Sequence, residues 1–336
     1  DARHRFRLYF NGAPDSDDLA YLSARADVRQ IPFARLWTHA RLSAEMLARP
    51  PDLLFVPSHV LPALRPRRTV VTVHDLGYLY WPDAHQPRRR IYLDLSTRFN
   101  AAVATLIIAD STATMRDLVL HYGTSPERLR VVHLGCDPRY RPQPRERVAA
   151  VRERYALPDR YILAVGTIHP RKNLVRLVDA FAAIRRGSLE DVGLVIVGRD
   201  GWGAAEVHDR ARPLGEAVRF LDYVVADDMP ALYTGAAAFA FPSLHEGFGL
   251  PAVEAMACGA PVVAADASSL PEVVGDAGIL VRPTDPAAIA EALSAVLTDS
   301  ALSTCLRAAG LARAGRFTWE RCADEVAAVF GEALER

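Results

Sequence analysis

Short runs rich in Val, Ile and Leu, each bounded by turn residues, alternate along the chain with longer stretches of helical period. In the first half they are DLLFVPSH (52–59), RTVVTVHD (68–75), TLIIADS (105–111) and LRVVHLG (129–135), preceded by RFRLYF (5–10). In the second half they are RYILAVG (160–166), VGLVIVG (192–198), VRFLDYV (218–224), AAFAFPS (237–243), PVVAAD (261–266) and AGILVRP (277–283). Continuously apolar strands separated by helices predict parallel sheets covered on both faces. The expected fold class is therefore α/β, with two doubly wound, Rossmann-like domains. CDPRYRPQPRER (136–147), rich in proline and charge, predicts the linker and sets domains at 1–145 and 146–318. Helices predicted over 286–298, 300–314 and 319–335 are followed by no strand, so they pack on the outside. The last, within 319–336, is expected to turn back toward the first domain.

A length of 336 residues agrees with two domains of about 150 residues each. No apolar run approaches the roughly 20 residues of a spanning helix, and the expected location is the cytoplasm. Cys136, Cys258, Cys305 and Cys322 are too widely separated for a zinc pair or a redox centre and are expected as reduced core thiols. A net charge of zero hides an asymmetry: residues 1–150 hold 22 basic against 15 acidic side chains, and residues 151–336 hold 18 against 25. The basic half, with RPRR (65–68) and PRRR (87–90), predicts peripheral contact with an anionic membrane face or a lipid diphosphate. No feature calls for nucleic acid as a partner. Arginine supplies all but one of the 40 cations, and the exception is Lys172.

The stretch HEGFGLPAVEAMACGAPVV (245–263) follows an apolar strand and opens a short helix, with Pro251 in its first turn and Gly259 past its end. Glu246 is thus expected on the loop and Glu254 on the helix. Ligands of doubly wound sheets bind at the carboxyl ends of strands, where helix N-termini offer unpaired N–H groups. Gly247 and Gly249 allow a ligand close to that backbone, with Glu246 accepting from hydroxyls at one end and Glu254 holding a diol further along. An isolated Gly-x-Gly is more often a plain turn. A second loop changes the balance, because TIHPRKNL places Arg171 and Lys172 at the mouth of the same sheet, where adjacent cations suit a diphosphate. In the first half, His74 and Asp75 end a strand. His74 there either hydrogen-bonds a sugar hydroxyl, moves a proton, or orders its loop.

Taken with GTIHPRKNL, GRDGWG, TVHDL and RFTWE, the segment HEGFGLPAVEAMACGAPVVAADASSLPEVVGDAG resembles the retaining glycosyltransferases of family 4, which include bacterial mannosyltransferases of polysaccharide assembly. The resemblance implies a GT-B fold whose two domains face a cleft, with a nucleotide-sugar donor on the second domain and the acceptor on the first. It implies that Arg171 and Lys172, beside Gly166 and Thr167, bind the donor diphosphate and that Glu254 binds the ribose hydroxyls. Glu246, with the backbone of Gly247, Phe248, Gly249 and Leu250, would hold the donor sugar and its phosphate. His74 would reach the sugar from across the cleft, so that Glu246 and His74 are the implied catalytic pair, and Val224 would lie by the base. The implied donor is GDP-mannose, with no further cofactor and no metal, since cations and a helix N-terminus offset the leaving charge. The implied acceptor is a glycan or a lipid-linked sugar.

Retention of configuration ordinarily points to a carboxylate nucleophile and two displacements. The usual proposal in the family is instead front-face attack, with the departing phosphate oxygen taking the acceptor's proton. A nucleotide-sugar epimerase of the same fold, or a fragment that binds the donor without transferring it, is the alternative. A dinucleotide-dependent oxidoreductase would need a G-x-G-x-x-G after a strand, and none occurs. Similar proteins begin further upstream, with a strand, a glycine-rich loop and a helix that residues 1–50 do not resemble. The first domain is therefore expected to lack its first strand, and the 336 residues to bind nucleotide while transferring sugar poorly until the upstream segment is supplied.

Overall fold

The computed structural model describes residues 4–13, 16–58, 60–84, 86–187 and 189–336, and twelve parallel strands lie among the described residues. In the first domain β1 (Arg7–Phe10) pairs with β2 (Asp27–Gln30), while β3 (Leu54–Val56), β4 (Thr69–Val73), β5 (Leu106–Ala109) and β6 (Leu129–Val131) form a sheet in that order. The second domain contains β7 (Arg160–Val165), β8 (Val192–Val197), β9 (Val218–Leu221), β10 (Ala238–Phe241), β11 (Val262–Ala265) and β12 (Gly278–Val281), ordered β12-β11-β10-β7-β8-β9. Both domains are Rossmann-like, as expected. Each predicted apolar run contains a strand, although His59, which closes the first run, lies outside the described residues. The sequence pattern misses β2. Its segment DVRQ has no apolar run and is held by its ladder and by Arg7 donating to Asp27 at 2.7 Å.

Period-2 alternation feeds two core layers in the second domain. Leu163, Val195, Phe239 and Val262 face helices Met229–Gly235 and Leu250–Ala257, whereas Ile162, Leu194, Ile196 and Val263 face helices Leu174–Arg186 and Pro286–Thr298. These side chains are almost wholly buried, and each such residue contributes about 1.5–3 kcal/mol relative to exposure. From β7 the chain moves outward through β8 and β9, then returns to place β10 on the other side. The loops after β7 and β10 therefore diverge at the carboxyl edge, where a doubly wound sheet opens a crevice.

The predicted linker is shorter than its sequence signal, because helix Arg145–Arg154 begins inside it. Buried Asp228 fixes that helix to the second domain by accepting from Arg147, Arg154 and Tyr155. The last helix, Trp319–Glu335, returns to the first domain. There Cys322, Val329 and Ala333 cover Val70, Leu106 and Ile108, and Arg130 pairs with Glu332. A Cβ at Gly135 would lie 2.3 Å from the Trp319 backbone nitrogen, so only glycine permits that crossing. All four cysteines are free, but Cys305 is exposed rather than in the core, because it sits off the buried stripe of Leu306, Gly310 and Ala314 on its helix.

Candidate active site

A cavity of about 480 Å³ opens between the domains, lined by Asp75, Gly77, Trp81 and Ala84 from the first and by Gly166, Thr167, His169, Arg171 and Lys172 from the second. The loop after β7 builds one wall. Pro170–Lys172 forms a single 3₁₀ turn, His169 Nδ1 accepts from the Arg171 N–H at 3.1 Å, and Asn173 closes the turn at φ 59°. Buried Asn173 donates to the Pro242 and Pro283 carbonyls at 3.0 and 2.6 Å, tying this loop to those after β10 and β12. Gly166 adopts φ 141°, and a Cβ there would approach Lys172 Cε to 3.0 Å. The lysine thus lies along a backbone that carries no side chain, with its ammonium 4.9 Å from the Phe241 ring centroid.

Glu246 joins the loop after β10 to the loop after β7. Its Oε1 accepts from Lys172 Nζ at 2.6 Å and its Oε2 from Arg171 Nη1 at 2.9 Å, with only 8 % of its side chain exposed. Arg171 Nη1 also donates to the His245 carbonyl at 2.9 Å. Where the sequence pattern anticipates Glu246 free to receive hydroxyls, the structure gives its oxygens to the two cations. The loop beyond it is held by Ser269, whose hydroxyl donates to the Glu246 and Phe248 carbonyls at 3.0 and 2.8 Å. Gly249, at φ 108°, starts helix Leu250–Ala257, and Gly247 presses against the first domain, where a Cβ would fall 2.2 Å from the His74 carbonyl.

Glu254 stands deeper and is not among the residues lining the cavity. Tyr233 Oη donates to its Oε2 at 2.8 Å. Burial raises its pKa, while hydrogen bonds from Tyr233 and Tyr140 pull it back. Val224, just past β9, turns its side chain into the core at 6 % exposure. Across the cleft, His74 follows β4 and shares a 2.7 Å hydrogen bond through Nδ1 with Asp110 Oδ2. That bond raises the histidine's pKa against the opposing effect of burial.

Several groups at the domain junction escape sequence reading. Glu272 of the second domain accepts from the Thr112 N–H at 2.8 Å, the Thr112 hydroxyl at 2.9 Å and His133 Nε2 at 2.7 Å, all in the first domain. Burial alone would raise its pKa, but these partners hold it below the usual 4.5. Helix Thr112–Tyr122 also presents Thr114 to the His74 and Gly247 carbonyls and Asp117 to His245. The only advance signal is ADS (109–111), an acid directly after an apolar run, as in the VHD of the neighbouring strand.

Two family descriptions match the halves of the chain: Glycosyltransferase Family 4 over residues 1–140 and Glycosyl transferases group 1 over residues 159–299. The O-antigen chain mannosyltransferase B of Escherichia coli is 34 % identical over 289 residues, covering 84 % of this chain and 75 % of that protein. The chain is a family 4 glycosyltransferase. Another relative of this glycosyltransferase, the D-inositol 3-phosphate glycosyltransferase of Salinispora arenicola, is 35 % identical over 75 % of the chain and 59 % of its own length. Among solved structures, Anabaena HepE in complex with UDP and glucose superposes at a TM-score of 0.75 with 22 % identity, over 97 % of this chain and 91 % of HepE. WaaG, a glycosyltransferase involved in lipopolysaccharide biosynthesis, superposes at 0.68 with 21 % identity, over 94 % and 88 % of the two chains. The shared fold is GT-B. Both sequence relatives and WaaG are named as transferases, so the epimerase alternative is not favoured. No single helix among the described residues is long and apolar enough to cross a membrane.

Proposed function

We propose that the chain transfers a hexose, mannose in preference, from a nucleoside diphosphate donor to a glycan or lipid-linked acceptor, with retention of configuration and without a metal. The observation that carries this is the clamp of Arg171 and Lys172 on Glu246 above the bare backbone of Gly166. Two cations over a glycine backbone, next to a helix N-terminus, form a pocket for the donor diphosphate and stabilise the charge that develops on departure. Glu254 would take the ribose hydroxyls, and the backbone at 247–250 the sugar and its phosphate. A Glu246 carboxylate engaged by two cations is a weak nucleophile, which favours front-face attack over a covalent intermediate. From the first domain, Asp75 and Trp81, whose buried indole N–H has no partner, line the cavity and would meet the acceptor hydroxyls. Mannose is the favoured sugar because the E. coli relative is a mannosyltransferase, and GDP is the nucleotide that the family resemblance implies.

The test is a thermal-shift screen of nucleoside diphosphates, followed by NMR of the product formed from GDP-mannose. Expected are stabilisation by GDP of about 2.7 kcal/mol at 100 times its Kd, a retained anomer, and turnover indifferent to a chelator. An inverted anomer, or activity restored only by magnesium, rejects the mechanism. The acceptor side is proposed to sit at the cytoplasmic face of the membrane. Helix Pro87–Val103 exposes Ile91, Tyr92 and Leu95 beside Arg88, Arg89 and Arg90, a face suited to anionic lipid. Liposome sedimentation should show binding that rises with anionic lipid and falls with salt.

A further inference from the structure

The ends of β4 and β5 place a carboxylate and an imidazole side by side, and nothing above assigns the carboxylate a task. Val73 is in register with Ala109, so the next residues of the two strands, His74 and Asp110, leave the sheet together at its carboxyl edge. Asp110 is the buried member, with 3 % of its side chain exposed, whereas the His74 ring keeps 46 % exposure. A carboxylate can only accept, so His74 Nδ1 carries the proton of their 2.7 Å bond. We infer that Asp110 is a positioning residue for sugar transfer, fixing the tautomer and aim of the His74 imidazole at the donor bound in the cleft.

The inference rests on the transferase site proposed above. Ordering a loop would not require a charge here, because an amide accepts the same hydrogen bond with less desolvation. Yet a carboxylate is buried, and its second oxygen, Oδ1, has no hydrogen-bond partner. Burial raises the Asp110 pKa and the His74 bond opposes that rise. The charged groups facing the pair are Asp75 on the same strand end and His133 beyond β6, and the Pro57 carbonyl also favours the protonated ring. With Nδ1 committed, the neutral ring offers Nε2 as acceptor and the charged ring offers it as donor. Asp110 thereby sets the pH at which His74 changes from one to the other.

The test uses the full chain with histidine ¹⁵N labelling. In the wild type, His74 is expected as the Nδ1–H tautomer when neutral; an Nε2–H tautomer overturns the inference without any variant. In Asp110→Asn the His74 titration should move to lower pH. The pH profile of transfer should follow it, with kcat reduced at least about tenfold and nucleotide Kd unchanged. A His74 titration or a pH profile that superimposes on the wild type overturns it as well. A wild type that transfers no sugar from any nucleoside diphosphate donor rejects the transferase function instead, while the tautomer and titration still decide the coupling.

Discussion

Glu246 is the anion that Arg171 and Lys172 hold in this structure, and its replacement separates an effect on stability from an effect on ligand affinity. Glu246→Ala should cost about 3 kcal/mol of stability, the lower end for a broken buried pair, because Arg171 keeps 25 % exposure. Glu246→Gln should instead bind inorganic pyrophosphate more tightly than the wild type, visible as a larger thermal shift. Lys172→Ala and Glu254→Ala should each weaken nucleoside diphosphate binding by about 1.5–3 kcal/mol in calorimetry. Lys172→Arg should also be impaired, since the wider guanidinium must fit between Gly166 and the Phe241 ring. Both loops of this site were legible in the sequence because glycine, lysine and proline occur there in unusual company. Asp110 and Glu272 were not, because a single acid after a strand or in a helix is common, and only the meeting of distant segments gives it a partner.

Strands at this scale follow from runs of apolar residues, which is why β3 to β12 could be located, the partly buried β9 and β12 among them. A strand without an apolar run gives no such signal, and β2, with Asp27 and Arg29 among its four residues, shows the result. The last helix was legible as a helix from its period and its turn back toward the first domain was expected, but an apolar stripe does not say which side chains of the sheet it covers. Gly135 is the local determinant of that docking. Gly135→Ala forces a Cβ against the Trp319 backbone and should destabilise by about 1–3 kcal/mol or more. Hydrogen exchange should show helix Trp319–Glu335 losing protection before the second domain does.

At the scale of the whole molecule the two domains meet through Glu272, which accepts from Thr112 and His133, and through Thr114, which donates to the Gly247 carbonyl. Glu272 has a depressed pKa, so its contribution is complete above pH 4.5 and is lost as the pH falls through its lower folded value. Small-angle scattering should therefore show the wild type expanding on the acid side of that range. Glu272→Gln should already be partly open at neutral pH and respond less to acid. Gly247→Ala should open the cleft at every pH, because its methyl group would meet the His74 carbonyl. The return of helix Trp319–Glu335 across both domains has a consequence for synthesis. The second domain, running continuously from Arg145, precedes in the chain the helix that covers Val70 and Ile108. The sheet of the first domain is thus completed by a segment that follows the second domain in the chain, and a polypeptide that has not yet reached Trp319 would leave Val70, Leu106 and Ile108 uncovered.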